Sequence, residues 1–422
     1  MSRMAGPHDP REGVELPLCG IRVLDLSRLL PGGFCSLLLA DHGADVLKVE
    51  DTAAGDYLRW APPKIEGAAG SAASALFLAL NRNKRSIRID LKQPAGRDVL
   101  LRLARDHDVV LESFRPGVLD RLGVGYEALD HANPRIVLCS ITGYGQDGPL
   151  RDRAGHDMNY LALSGLLELS GEPGGPPLQA PVQIADLGGG AMMAAFGILA
   201  ALRERDRSGE GQHVDVAMTD GVLSWLSLLA ARRLAGAPAP QRGTDELAGG
   251  LVCYRPYACA DGWVAFAALE PKFWAAWCRG VGREDLLERG FDAPGGQTHE
   301  ALEAIFAART RAQWKRFAAD VECCLEPVLT LDEALASDHV QAREMVTELD
   351  QPGVRRPVRQ IGAAVKLSRT PADTNRLPGP ELGEHTEAVL RSAGYDDAAI
   401  AELLGTGAVA GPHTNAGGSF LA

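Results

Sequence analysis

Over residues 20–142, short runs of branched apolar residues alternate with amphipathic stretches, so the apolar period switches repeatedly between two and 3.6. Residues 20–26 (GIRVLDL), 46–50 (VLKVE), 86–90 (SIRID), 108–112 (DVVLE) and 135–142 (RIVLCSIT) read as strands. Between them the pattern predicts a helix over 34–42 that ends at Gly43, a helix over 97–105 with Pro94 at its start, and a short helix over 117–122. Strands joined by helical crossovers pair in parallel with right-handed connections. The prediction is therefore a doubly wound α/β sheet of Rossmann-like layout, which takes ligands at the carboxyl ends of its strands. The first crossover loop is LLPGGF, not G-x-G-x-x-G, so a nicotinamide dinucleotide site is not supported. Residues 142–149 (TGYGQDGP) make a turn-rich loop at one such strand end.

Further along, 189–203 predicts an apolar helix, 209–218 a turn and strand, and 220–234 a helix with Asp220 as N-cap. Residues 235–250 have the composition of a linker. The pattern then changes: 253–260 and 263–269 flank an Asp-Gly turn and read as a β-hairpin, with helices to about residue 316. The expected organisation is a flexible leader (1–18), a large Rossmann-like domain (19–234), a linker (235–250) and a smaller α+β domain (251–330). A segment (331–404) returning to the large domain and a flexible tail (405–422) complete it.

Composition narrows the partners. With 43 Lys and Arg against 55 Asp and Glu, the net charge of -12 weighs against nucleic acid or an anionic membrane as a partner of the surface at large. The eight cysteines make no C-x-x-C pair and no zinc-spaced cluster with histidine, as expected of buried thiols in a cytoplasmic protein. No signal peptide is expected, since the N-terminus lacks an apolar stretch. The longest apolar runs reach only about a dozen residues, against roughly 20 for a membrane span.

The residues able to carry chemistry cluster around 154–190. His156 follows Gly155 in a short polar turn and is either a turn histidine bonded to backbone or a general acid/base. Asp186 precedes Gly188, Gly189 and Gly190 and a helix. It is either an N-cap, or a base or nucleophile beside amides that three glycines would open to an oxyanion. Glu270, before Pro271, is either a first-turn acid or a carboxylate that orients an imidazole. The basic cluster Arg82, Lys84, Arg85, Arg88 and Lys92, with Arg115 and Arg121 nearby, is either a solvated face or a phosphate pocket.

Seven stretches then combine: GIRVLDLSRLLPGGFCSLLLADHGADVLKVE, NRNKRSIRIDLK, ESFRPGVLDRLGVGYEAL, TGYGQDGP, AGHDMNY, ADLGGG and LGEHTEAVL. In this order the chain resembles the CaiB/BaiF enzymes, the family III CoA-transferases. AGHD and LEPKFW resemble their α-methylacyl-CoA racemase branch. The resemblance implies an interlocked homodimer, in which the small domain of one subunit closes the site on the large domain of the other. It implies CoA-thioester contacts at Ile89, Asp90, Leu91, Lys92, Ser113, Phe114, Arg115, Arg121, Gly155, Asp157 and Tyr160. Asp51 departs from the Pro or basic residue that many relatives carry after this strand, which bears on one phosphate contact. The expected activity is racemisation of 2-methylacyl-CoA thioesters, with His156 and Asp186 as the two bases and Glu270 orienting His156. The alternative is CoA transfer through an Asp186 acyl intermediate. Neither needs a metal or a redox cofactor, CoA being part of the substrate.

Overall fold

The computed structural model describes residues 15–66, 72–412 and 418–420. The chain divides into two compact units: Met1–Ser164, Val182–Ser224 and His339–Ala422 form the first, Gly165–Pro181 and Trp225–Asp338 the second. The expected linker is not a connector: Asp245 caps the turn that follows it, and Arg242 reaches back to Glu168, both within the second unit. Residues 225–234, expected in the large domain, also fall in the second unit.

The first unit is built on a seven-stranded sheet in the order Val409–Ala410, Lys84–Ile89, Asp45–Glu50, Arg22–Asp25, Val109–Glu112, Val137–Thr142, Gln212–Ala217. The last six are parallel, as the alternating pattern predicts. Their central residues are buried, with Leu24, Leu47, Ile87, Val110 and Leu138 in the core and the polar Asp25, Lys48 and Ser86 buried beside them. The edge strand Val409–Ala410 is antiparallel and pairs with Ile89 and Arg88. It lies in the expected flexible tail, so that expectation is corrected there: Ala408, Val409 and Ala410 are buried, and the strand covers an otherwise open sheet edge. The returning segment contributes Val389, Leu390, Ile400 and Leu403 to the core beside Val99 and Leu103. The expected leader lies mostly outside the described residues.

Two helices differ instructively from the sequence pattern. Leu29–Asp41 begins five residues before its predicted start and absorbs the Pro-Gly-Gly turn. Gly32 permits this, since a Cβ there would lie 2.0 Å from Ser27 Oγ. Leu29 takes φ +62 to bend the chain from strand into helix. The second runs from Ala185 to Ser208, opening as a π-helix over Ala185–Met192. By length and hydropathy it would pass for a membrane span, contrary to the expectation that no apolar run was long enough. It is a core helix of the first unit, with Ala185, Gly188, Gly189, Gly190, Ala191 and Ile198 all buried.

In the second unit, strands Tyr254–Cys259 and Gly262–Ala267 form the predicted hairpin, and Leu325–Pro327 adds a third antiparallel strand. The turn falls on Ala260 and Asp261, one residue earlier than the Asp-Gly pattern suggests. Tyr257, Phe266, Trp274, Trp277, Phe306 and Trp314 pack as its aromatic core.

Candidate active site

In the first unit the chain winds outward from Arg22–Asp25 in one direction and from Val109–Glu112 in the other, so these neighbours mark the topological switch point. A cleft of about 500 Å³ opens there at the carboxyl ends of the strands. The loop after the first strand supplies Arg28, the loop after the other Ser113, Phe114 and Arg115, and the amide of Arg28 reaches Ser113 Oγ at 3.4 Å. The loop after Val137–Thr142 adds Tyr144, Arg151 and Arg153. A smaller cavity of about 240 Å³ shares Arg28 and Phe114 with the cleft and is lined by Ile89, Asp90, Leu91 and Lys92, with Leu26, Val49, Val118 and Leu122 as its apolar walls.

His156, Asp186, Gly155 and Tyr160 all line the larger cleft. His156 precedes the helix Asp157–Ser164, and its amide donates to Asn159 Oδ1 at 3.0 Å. Tyr160 is clamped between Gly143 and Gly155. A Cβ at either would meet its ring at 2.3 or 2.7 Å, and its hydroxyl donates to the Gly155 carbonyl at 2.5 Å. Tyr144 packs edge-on against the same ring. Burial, with Asp186, Tyr144 and Asp157 close by, pushes the Tyr160 phenol well above its ordinary range.

Asp186 is not the helix cap that its place before three glycines suggested. It lies in the first turn, and the residue before the helix, Ile184, already has helical geometry. The capping acceptor comes from elsewhere in the chain: Asp157 Oδ2 accepts the amides of Ala185 and Asp186 at 2.6 and 3.1 Å. Asp157, expected among the thioester contacts, is buried, and its carboxylate serves this helix start. The glycine triplet likewise does not open an oxyanion site. Gly188, Gly189 and Gly190 are buried, and a Cβ on Gly189 would lie 2.6 Å from the Met218 carbonyl. The glycines let a second helix, Met218–Trp225, approach, and Gly221 repeats the device from the other side. Asp220, expected to cap that helix, sits in its first turn instead. Burial first, and the neighbouring charge of Asp157 second, raise the Asp186 carboxyl to about 7.

The basic cluster is largely engaged away from the cleft. Arg82 is buried against Asp41 at 2.7 Å, and Lys84 is buried among Asp25, Ser36, Asn81 and the Gly33 carbonyl. Arg85 pairs with Asp45 at the opposite, amino-terminal end of the strands. Arg121 is exposed and lines neither cavity. The cations in the cleft are Arg28, Arg115, Arg151 and Arg153, of which only Arg115 was singled out from sequence. Arg28 pairs with Asp51 at 2.7 Å, so the departure at position 51 sets an acid against an arginine common to both cavities. Glu270 lies in the second unit, exposed, at the N-cap of Pro271–Gly280 and without a side-chain cap bond; it is not part of this cleft.

Comparison with known proteins agrees with this architecture. The family model for CoA-transferase family III matches residues 18–386. Alpha-methylacyl-CoA racemase from Mus musculus is 38% identical over 390 residues, covering 92% of this chain and 96% of that one. Succinate–glutarate CoA-transferase from Agrobacterium fabrum is 36% identical over 390 residues, covering 89% and 95%. Among solved structures, a CaiB/BaiF family protein from Brucella suis superposes with a TM-score of 0.78 at 30% identity, covering 90% of this chain and 100% of that one. The chain is a member of CoA-transferase family III, a group that includes both transferases and racemases of CoA thioesters.

Proposed function

We propose that the protein interconverts the two configurations at C2 of 2-methylacyl-CoA thioesters by 1,1-proton transfer. The observation that carries this reading is that an imidazole and a carboxyl shifted to about 7 line one cleft. A group that must both remove and return a proton at neutral pH works best with a pKa near that pH. One of the pair would take the α-proton while the other delivers a proton to the opposite face. The enolate oxygen would meet the amides of Asp157 and Met158 at the start of the helix Asp157–Ser164, since those of Asn159 and Tyr160 donate to the His156 carbonyl. The nucleotide end of CoA would occupy the smaller cavity beside Ile89, Asp90, Leu91 and Lys92, with the arginines of the larger cleft matching phosphate oxygens. No metal or redox cofactor enters the scheme.

The reading includes a second copy of the chain. One stripe of the core helix carries Met192, Phe196 and Leu199 at 56, 72 and 42% exposure, and Met158, Leu163 and Leu223 are exposed on neighbouring helices. An apolar stripe of this kind belongs against another surface. In the interlocked arrangement, Glu270 of the partner subunit would orient His156. Phe196→Glu is expected to shift the protein from dimer to monomer or aggregate in light scattering coupled to size exclusion; an unchanged dimer would remove this face from the interface.

The test of the activity is α-proton exchange. With a 2-methylacyl-CoA in D₂O, one deuterium per molecule is expected at C2, together with loss of optical purity. A protein that binds the thioester yet leaves that hydrogen in place is not a racemase. The second reading, CoA transfer between carboxylic acids through an Asp186 acyl intermediate, is favoured by the transferase relative at 36% identity. It predicts a hydroxylamine-trappable adduct on Asp186 and ping-pong kinetics with a free-acid acceptor.

A further inference from the structure

We infer that Asp157 is a positioning residue: its carboxylate holds the start of the helix that carries Asp186 and sets its own negative charge against that side chain. The inference rests on the reading of Asp186 as a proton-transfer group.

The geometry is specific. A helix leaves its first amides without intrahelical partners, and they are usually satisfied by the residue just before it. Here Ile184, at the N-cap position, is apolar, already helical and makes no side-chain cap bond. The acceptor is supplied from 28 and 29 positions upstream, as one oxygen shared by the amides of Ala185 and Asp186. Asp157 is itself the first residue of the helix Asp157–Ser164, directly after His156. One side chain therefore ties together the backbones that carry both proposed bases, and a shift of the Asp157 backbone moves them together.

Among the described residues, the same carboxylate is the charged group that acts on Asp186. The elements around it carry other titratable groups. The helix of Asp157 adds Tyr160, the preceding turn His156, and the loop after Val137–Thr142 adds Tyr144. Leu29–Asp41 contributes buried Cys35, the adjacent strand Asp215, and Met218–Trp225 adds Asp220. The cleft arginines are Arg28, Arg115, Arg151 and Arg153. Among these, Asp157 adds to burial in raising the Asp186 carboxyl into the range where a proton-transfer group works best.

Asp157→Asn tests this directly. The amide oxygen keeps an acceptor for the two N–H groups while the charge is lost. The Asp186 carboxyl, followed by ¹³C NMR and assigned with Asp186→Asn, is expected to titrate about one unit lower. The acid limb of the pH profile for α-proton exchange should move down with it, at unchanged KM. Asp157→Ala, which also strips the cap, is expected to lose about 100-fold in kcat. Thermal melting identifies any variant that fails to fold, and the Asn variant carries the test in that event. If Asp186 titrates identically in Asp157→Asn, or if KM rises with kcat unchanged as for a simple substrate contact, the inference is overturned. A wild-type protein that exchanges no α-proton overturns the proposed reaction instead, while the NMR titration still decides the coupling.

Discussion

Asp186→Asn is expected to lower epimer interconversion by about 10³ while making the protein more stable at neutral pH. The two effects have one origin. Burial and the charge of Asp157 hold the Asp186 carboxyl near 7 in the folded protein, against 3.8 for the unperturbed group. Below pH 3.8 the carboxyl is protonated in both folded and unfolded chains and contributes nothing. As pH rises towards 7 the unfolded chain gives up this proton while the folded one keeps it, so stability falls, and above 7 the full penalty is present. That penalty is on the order of 4 kcal/mol. The asparagine side chain has the same shape and no charge to desolvate, and the bonds from Asp157 go to backbone amides that remain. Urea denaturation should therefore show the variant gaining stability at pH 8 and little at pH 4. The kinetic signature is asymmetric. The epimer that presents its hydrogen to His156 should still exchange with D₂O, and the other should not. Equal loss for both epimers would contradict a two-base site.

How much of this was legible in the sequence follows from what each signal measures. Apolar period and the alternation of strand and helix report burial along a single element, and they located five of the six parallel strands of the large sheet to within two residues, the sixth, Gln212–Ala217, lying inside the turn-and-strand run 209–218. The edge strand Val409–Ala410 escaped because two residues in a Gly-rich tail carry no period at all. His156 and Asp186 were recognisable because each sits in a distinctive local stretch. What Asp186 does locally was not, because its helix is capped by Asp157 from another part of the chain, and a cap pattern detects only adjacent acceptors. The Gly188–Gly190 run was read as room for a ligand when it is room for a helix. Both uses of glycine look alike in one dimension. Two members of the basic cluster were misread for a related reason, while Lys92 and Arg115 do line the cavities. Arg82 follows the helix Ala75–Asn81 and pairs with Asp41 at the end of Leu29–Asp41, while Lys84 opens the strand Lys84–Ile89 and faces Asp25, so their charges are consumed internally. The arginine after the first strand, Arg28, stands in a loop at a strand's carboxyl end, where such sheets take ligands, but which of these loops flank the switch point depends on the strand order, which apolar period does not carry.

The buried charges beneath Arg28 carry the largest expected effect on stability. Lys48 is fully buried on Asp45–Glu50; its ammonium lies 2.8 Å from Asp56 and donates to the Ser27 carbonyl at 3.0 Å. Asp25, equally buried, accepts hydrogen bonds from the hydroxyls of Ser27 and Ser36 and lies 3.5 Å from Lys84. Burial alone would raise the Asp25 carboxyl, yet Lys48, Lys84 and the two hydroxyls outweigh it and hold the pKa below its ordinary value. Burial likewise opposes the Lys48 charge, and Asp56, Asp25 and Glu50 more than restore it. Lys48→Met keeps the length and apolar stem but leaves two buried carboxylates facing one remaining lysine. The expected cost is about 3–5 kcal/mol, since removing one partner strands the charge of the other. Activity should fall with stability, because Lys48 fixes the Ser27 carbonyl and hence the turn that presents Arg28 to both cavities. Adding Asp56→Asn to Lys48→Met is expected to recover part of the loss, because Asp56 Oδ1, which accepts the amides of Leu29 and Leu58, keeps its role as an amide oxygen while the stranded charge disappears. Urea denaturation of the single and double variants measures this. A double variant no more stable than Lys48→Met would mean that the cost lies in packing around the lysine stem rather than in an uncompensated carboxylate.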